Sequence, residues 1–132
     1  LYEGGIGCME ITFRTPDAAQ AIRQVADEAA YMLVGAGTVT TKEQAEAAAD
    51  AGARFIVSPG FSEKVASFCK EKGIPAATVY WEYWSEETEK IFEKNGISLY
   101  VYTVNDRDQA RRYISQGAEG ICTDFLTAED LW

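Results

Sequence analysis

Short apolar runs alternate along this chain with stretches in which apolar residues recur every three or four positions. The runs Cys8 to Phe13, Tyr31 to Gly35, Arg54 to Ser58, Ala76 to Tyr80, Ser98 to Val104 and Gly120 to Thr123 predict strands beginning about every 20 to 23 residues. Between them, Ala18, Ile22 and Val25 share one helical stripe, and Val65, Phe68 and Cys69 share another, so these segments are read as helices lying on a sheet. Start signals precede each helix: Thr15-Pro16-Asp17, Thr41-Lys42-Glu43, Ser62-Glu63, Ser85-Glu86-Glu87 and Asn105-Asp106, where a side-chain oxygen can cap free amides. Gly52, Gly73, Gly96 and Gly117, spaced by 21, 23 and 21 residues, each sit where a helix would end in the left-handed conformation and turn into the next strand. A repeat of this kind implies an α/β fold: parallel βα units joined by right-handed crossovers, as a barrel or as a doubly wound sheet.

Composition narrows the class. At 132 residues and 47% apolar the chain is expected to form a single domain, 1-132, with one core. Its 12 basic and 21 acidic residues leave a net charge of −9, which repels phosphate backbones and anionic lipid, so neither nucleic acid nor a membrane is an expected partner. No apolar run is long enough to span a bilayer, and a cytoplasmic protein is expected. Cys8, Cys69 and Cys122 are far apart and form no CxxC pair, so reduced, mostly buried thiols are expected, with Cys69 in the core. Histidine is absent, which removes the commonest neutral-pH base and metal ligand; no metal and no cofactor are expected.

The first strand carries the most chemistry. Alternation puts Met9, Ile11 and Phe13 on one face and Glu10, Thr12 and Arg14 on the other. A carboxylate and a guanidinium on an inner face are costly to bury unpaired, so they either neutralise one another as a structural ion pair or line a cavity open to a ligand. In the next unit, Gly35-Ala36-Gly37-Thr38 lets backbone amides approach an anion. The third strand ends in Val57-Ser58-Pro59-Gly60, a sharp turn whose simplest explanation is turn chemistry.

Taken together, GGIGCMEITFRTP, VGAGTV, AGARFIVSPG and FSEKVASFCKEKGIP resemble the 2-keto-3-deoxy-6-phosphogluconate aldolases, over about Leu1 to Pro75. The resemblance implies a class I aldolase on a TIM barrel. It places Glu10 at the acid/base glutamate, Arg14 at the substrate-binding arginine, Gly37 and Thr38 at the carboxylate contact, and Pro59 at the active-site wall. It also implies a Schiff-base lysine on a later strand. Here all six lysines, Lys42, Lys64, Lys70, Lys72, Lys90 and Lys94, fall in predicted helices or their ends.

From about Thr78 the resemblance changes. NGISLYVYTVND, a helix and GAEGICTD are similar to the closing units of the glycerophosphodiester phosphodiesterases, again TIM barrels, and place Trp81, Trp84, Tyr102 and Asn105 toward the barrel mouth as packing or wall contacts. The expected fold is therefore a partial TIM-barrel-like βα repeat of about six strands: residues 1-75 aldolase-like, 76-132 phosphodiesterase-like, with a seam near Ile74 to Thr78. Its open edges are expected to be closed by self-association into a homo-oligomer or by rearrangement. The expected function is that of a catalytically silent chimeric or engineered scaffold. It keeps Glu10 as a vestigial acid/base and Arg14, Gly37, Thr38 and Pro59 as a residual site for phosphate, sulfate or a small keto acid. The alternatives are a keto-acid aldolase of the 2-keto-3-deoxy-6-phosphogluconate type and, second, a phosphodiesterase-like hydrolase.

Overall fold

A computed structural model describes residues 2–75, 77–80, 85–95 and 98–131. Ala76, Trp81, Trp84 and Gly96, to which the sequence assigns a strand start, two mouth positions and a helix end, lie outside the described residues. The strands are β1 (Cys8–Thr12), β2 (Leu33–Gly37), β3 (Ala77–Tyr80), β4 (Leu99–Tyr102) and β5 (Gly120–Ile121). The helices are α1 (Ala18–Glu28), α2 (Lys42–Asp50), α3 (Glu63–Lys72), α4 (Glu86–Asn95), α5 (Arg107–Ser115) and the short α6 (Ala128–Leu131). Every strand pairing is parallel, β1 with β2 and then β3 with β4 with β5. The fold is α/β and consistent with part of a TIM barrel.

The stretch Arg54 to Ser58 does not form a full strand. It joins β2 through the Ala36–Ile56 bridge, with Ala36 N–H donating to the Phe55 carbonyl at 3.0 Å and Val57 N–H to the Ala36 carbonyl at 2.8 Å. On its other side the Ile56 N–H reaches the Pro75 carbonyl at 3.4 Å. The described residues thus hold five strands and one bridged segment rather than six strands. The second strand also begins later than its apolar pattern indicates. Tyr31 lies in a turn, its ring 4.4 Å from that of Tyr2, and the ladder starts where Leu33 N–H meets the Gly7 carbonyl at 2.8 Å.

Helix ends follow local chemistry. Thr41 and Gln44 make a reciprocal capping box on α2, and Asp106 accepts from the Gln109 N–H on α5. Gly73, in the left-handed region at φ 64°, closes α3. The helices cover one side of the strands: Ile22 of α1, Val34 and Ala36 of β2, Ile56, and Val65, Phe68 and Cys69 of α3 share a buried cluster, against which Met9, Ile11 and Phe13 pack. A further cluster joins Val101 and Val104 to Ala110, Tyr113 and Ala118. With these faces turned to the helices, the opposite strand faces are left to line a cavity.

Candidate functional site

That cavity, about 820 Å³, lies between the front strands and the back ones: Glu10, Thr12 and Arg14 contribute from the first unit, Tyr102, Thr103 and Cys122 from the last. Period two explains the arrangement. Ile11 and Phe13 go to the helix side, as does Met9, which also borders the cavity, and Glu10 and Thr12 fall to the cavity side. Thr38 and Pro59 line the same space, at the ends of the second and third units.

Glu10 is the best-defined of these groups. It stands opposite Gly35 in the ladder and leans along the strand onto Gly37, so that its carboxylate occupies the space a Cβ on Gly37 would need. Only glycine at 37 leaves room for it. Burial pushes the Glu10 carboxyl above its ordinary value, and the Arg14 guanidinium pulls in the opposite direction without cancelling the effect. The two side chains do not meet as an ion pair: among the described residues the salt bridges are Lys42–Glu46 at 3.2 Å and Arg107–Asp130. Of the two readings open for the polar face, the geometry is that of a cavity lining. The charge of Glu10 also extends across the cavity, since it adds to the burial that raises the Cys122 thiol.

Thr38 follows Gly37 at φ 56°. A β-branched residue is sterically disfavoured in this left-handed region, and such backbone strain gathers at ligand-binding positions. Pro59 is fixed from two sides. Ser58 donates its hydroxyl to the Gly60 carbonyl at 2.7 Å, and the Tyr102 phenol donates to the Pro59 carbonyl at 3.1 Å. Glu10, Arg14, Thr38 and Pro59 therefore meet at one cavity, whereas Gly37 is not part of its lining and lies under the Glu10 carboxylate.

Several expectations change. Cys69 is buried, and burial lifts its thiol to about 11, but Cys8 and Cys122 are exposed and line the cavity rather than the core. The reason is register: Cys8 shares the face of Glu10, two residues on. Asn105 does not reach the cavity wall. Its amide donates to Asp124 at 2.8 Å and its carbonyl oxygen accepts from the Thr123 hydroxyl at 3.0 Å, locking the loop after β5. Phe55 and Cys122 also line the cavity, beyond the residues the sequence points to, although the alternation that exposes Glu10 turns them inward as well. The lysines of known helices lie in α2, α3 and α4, as expected. Among the described residues no group of three or more His, Cys, Asp or Glu is placed to hold a metal ion. No described helix is long and apolar enough to cross a membrane.

The family model for KDPG and KHG aldolases matches residues 1–78. The 2-dehydro-3-deoxy-phosphogluconate aldolase of Treponema pallidum is 55% identical over 75 residues, 57% of this chain and 36% of that protein. The chain thus matches little more than a third of that relative's length. Among solved structures, the 4-hydroxy-2-oxoglutarate/2-dehydro-3-deoxyphosphogluconate aldolase from TTHB1 superposes with a TM-score of 0.78 at 30% identity, covering 98% of this chain and 65% of that one. The KDPG aldolase of Legionella pneumophila, solved with pyruvate captured as a covalent carbinolamine, gives 0.74 at 24% identity over 98% of this chain and 65% of its own. These matches overturn the expectation of a catalytically silent composite. That expectation rested on where the lysines fall, whereas the family model covers more than half of the chain. The structural similarity to the TTHB1 aldolase extends through the back segment, since it covers 98% of this chain.

Proposed function

Because the chain belongs to the KDPG and KHG aldolase family, we propose that it serves a keto-acid aldolase reaction of the 2-keto-3-deoxy-6-phosphogluconate type, its cavity taking a small 2-keto acid. The observation that carries this reading is the seat of Glu10: an exposed carboxyl on the cavity wall, placed on Gly37 with its pKa raised by desolvation, in a cavity that also receives Arg14 and Thr38. A carboxyl tuned toward neutrality is suited to pass a proton to and from the carbon next to a carbonyl. Arg14 supplies a forked cation for the substrate carboxylate, and Thr38 with the Gly37 backbone supplies neutral donors beside it. Pro59, held by Ser58 and Tyr102, forms a rigid wall that limits how the bound acid turns. This chain's own residues thus bind the acid, orient it and move a proton at the carbon Glu10 faces.

Self-association belongs to the same proposal. Tyr2, Ile6 and Tyr31, which precede the first two strands, expose apolar surface, which a second copy would cover. The test of function is cleavage of 2-keto-3-deoxy-6-phosphogluconate, read as pyruvate released in a lactate dehydrogenase-coupled assay. Release that falls at least tenfold in Glu10→Gln and Arg14→Ala supports the reading; no release above the buffer rate refutes it.

A further inference from the structure

Glu10 shares its cavity with a second group able to carry a proton, and that group comes from the other wall. On the back strands Ile121 packs against the Val101 cluster on the helix side, so the next residue, Cys122, turns the opposite way and lines the cavity. Its backbone is fixed to the strand beside it: the Cys122 N–H donates to the Val101 carbonyl at 2.8 Å, and the Cys122 carbonyl accepts from the Val104 N–H at 3.0 Å. Glu10 comes from β1 and is seated on Gly37. Carboxyl and thiol are therefore held on the front and back walls of one space, each by a strand or its immediate continuation.

Other lining side chains of suitable chemistry are placed differently. Cys8 shares strand and face with Glu10 and stands beside it rather than opposite. The Tyr102 phenol donates to the Pro59 carbonyl at 3.1 Å, and the Tyr100 ring lies over Gly120. Burial first, and the Glu10 charge second, hold the Cys122 thiol above its ordinary value, so it is protonated at neutral pH and within electrostatic reach of the carboxylate. Of the two, the carboxyl is the stronger acid and is the one present as a base.

We infer that Glu10 and Cys122 act on the two faces of one carbon, so that the site inverts 2-keto acids that carry a hydrogen-bearing stereocentre at C3. This inference rests on the keto-acid reading of the same site and adds a second activity to it. The class is defined at C3 and leaves the remainder of the substrate, a phosphorylated chain included, open. With the substrate carboxylate at Arg14 and Thr38, the C3–H bond breaks toward Glu10: the proton passes to the carboxylate, and the electron pair moves through a new C2–C3 double bond onto the carbonyl oxygen. As the enolate collapses, C3 takes the proton of the Cys122 S–H on its other face, and the sulfur keeps the electron pair as a thiolate. Glu10 then gives its proton to water and the thiolate takes one back, so no oxidant or co-reactant is consumed. Return of a proton from Glu10 to the face it left gives exchange without inversion, the one-sided reaction expected when the thiol is removed.

The probe is (S)-3-methyl-2-oxopentanoate in D₂O, followed by proton NMR for deuterium entry at C3 and by optical rotation for loss of configuration. With the wild-type protein, rotation should be lost at least tenfold faster than in buffer. Cys122→Ala and Cys122→Ser should each lower the ratio of inversion to deuterium entry at least tenfold. Deuterium entry with configuration retained by the wild type, or an unchanged ratio in either variant, overturns the two-face inference and leaves the keto-acid reading standing. Loss of deuterium entry together with inversion in both variants means that Cys122 holds the wall rather than carries the proton, and overturns it too. Neither deuterium entry nor loss of rotation with the wild type overturns the inference, and together with no pyruvate release in the cleavage assay it overturns the keto-acid reading as well.

Discussion

Replacing Thr38 by glycine should make the protein more stable while weakening its site. Thr38 holds φ at 56°, a conformation that costs an L-residue about 1–2 kcal/mol and a β-branched one toward the upper end. Glycine enters it freely but brings about 0.5–1 kcal/mol of additional unfolded-state entropy. The side chain is half-buried at the cavity rim, so little packing is lost with it. The net expectation is a gain of roughly 0.5–1 kcal/mol for Thr38→Gly. In urea denaturation, with a slope of about 2 kcal/mol/M, this moves the midpoint up by about 0.25–0.5 M. Thr38→Val is the control: it keeps the strained, β-branched backbone and removes only the hydroxyl, so the midpoint should not rise. Both variants should bind pyruvate more weakly, because both lose the donor beside Arg14. A midpoint that falls in Thr38→Gly, or rises equally in Thr38→Val, would refute the idea that this backbone is held against its preference.

Two further outcomes follow from the titrating groups. Burial raises the Glu10 pKa in the folded protein, so the folded state binds its proton more tightly than the unfolded chain. Its stabilising contribution is therefore present at low pH and lost as pH rises through the raised value. Glu10→Gln should then melt increasingly above the wild type between pH 4 and pH 7, and a constant or shrinking gap would count against the burial of that carboxyl. Thiol labelling at pH 8 should modify Cys8 and Cys122 in the folded protein and Cys69 only after unfolding, given its burial and a pKa near 11. Labelling of Cys122 should speed up in Glu10→Gln, because removing the carboxylate charge favours the thiolate; an unchanged rate would mean that the two groups do not sense each other across the cavity.

Much of this architecture is legible from residue order. Helix-closing glycines proved informative because their role is local: Gly52, Gly73 and Gly117 all have positive φ, and the Cβ that would be added at Gly117 meets the Glu89 carboxylate at 2.6 Å. Period two on Cys8 to Phe13 was equally informative, separating Glu10 and Thr12 from Met9 and Ile11 before any packing is known. Where neighbours decide, the sequence is silent. Arg54 to Ser58 has strand-like residues, but its ladder depends on Pro75, twenty positions away. The seat of Glu10 on Gly37 and the reach of its charge to Cys122 are likewise tertiary facts. The expectation of a silent scaffold fails for a different reason: it rests on the placement of the lysines alone, while the family match spans residues 1–78.

Glu10 is proposed to move a proton at the carbon beside a bound carbonyl. The most direct measurement is the exchange of pyruvate methyl protons in D₂O, followed by proton NMR in the presence of wild type, Arg14→Ala and Glu10→Gln. Exchange faster than buffer is expected with the wild type, slower at limiting pyruvate with Arg14→Ala, and at the buffer rate with Glu10→Gln. Exchange that is no faster than buffer with the wild type, or equally fast with Glu10→Gln, would contradict it.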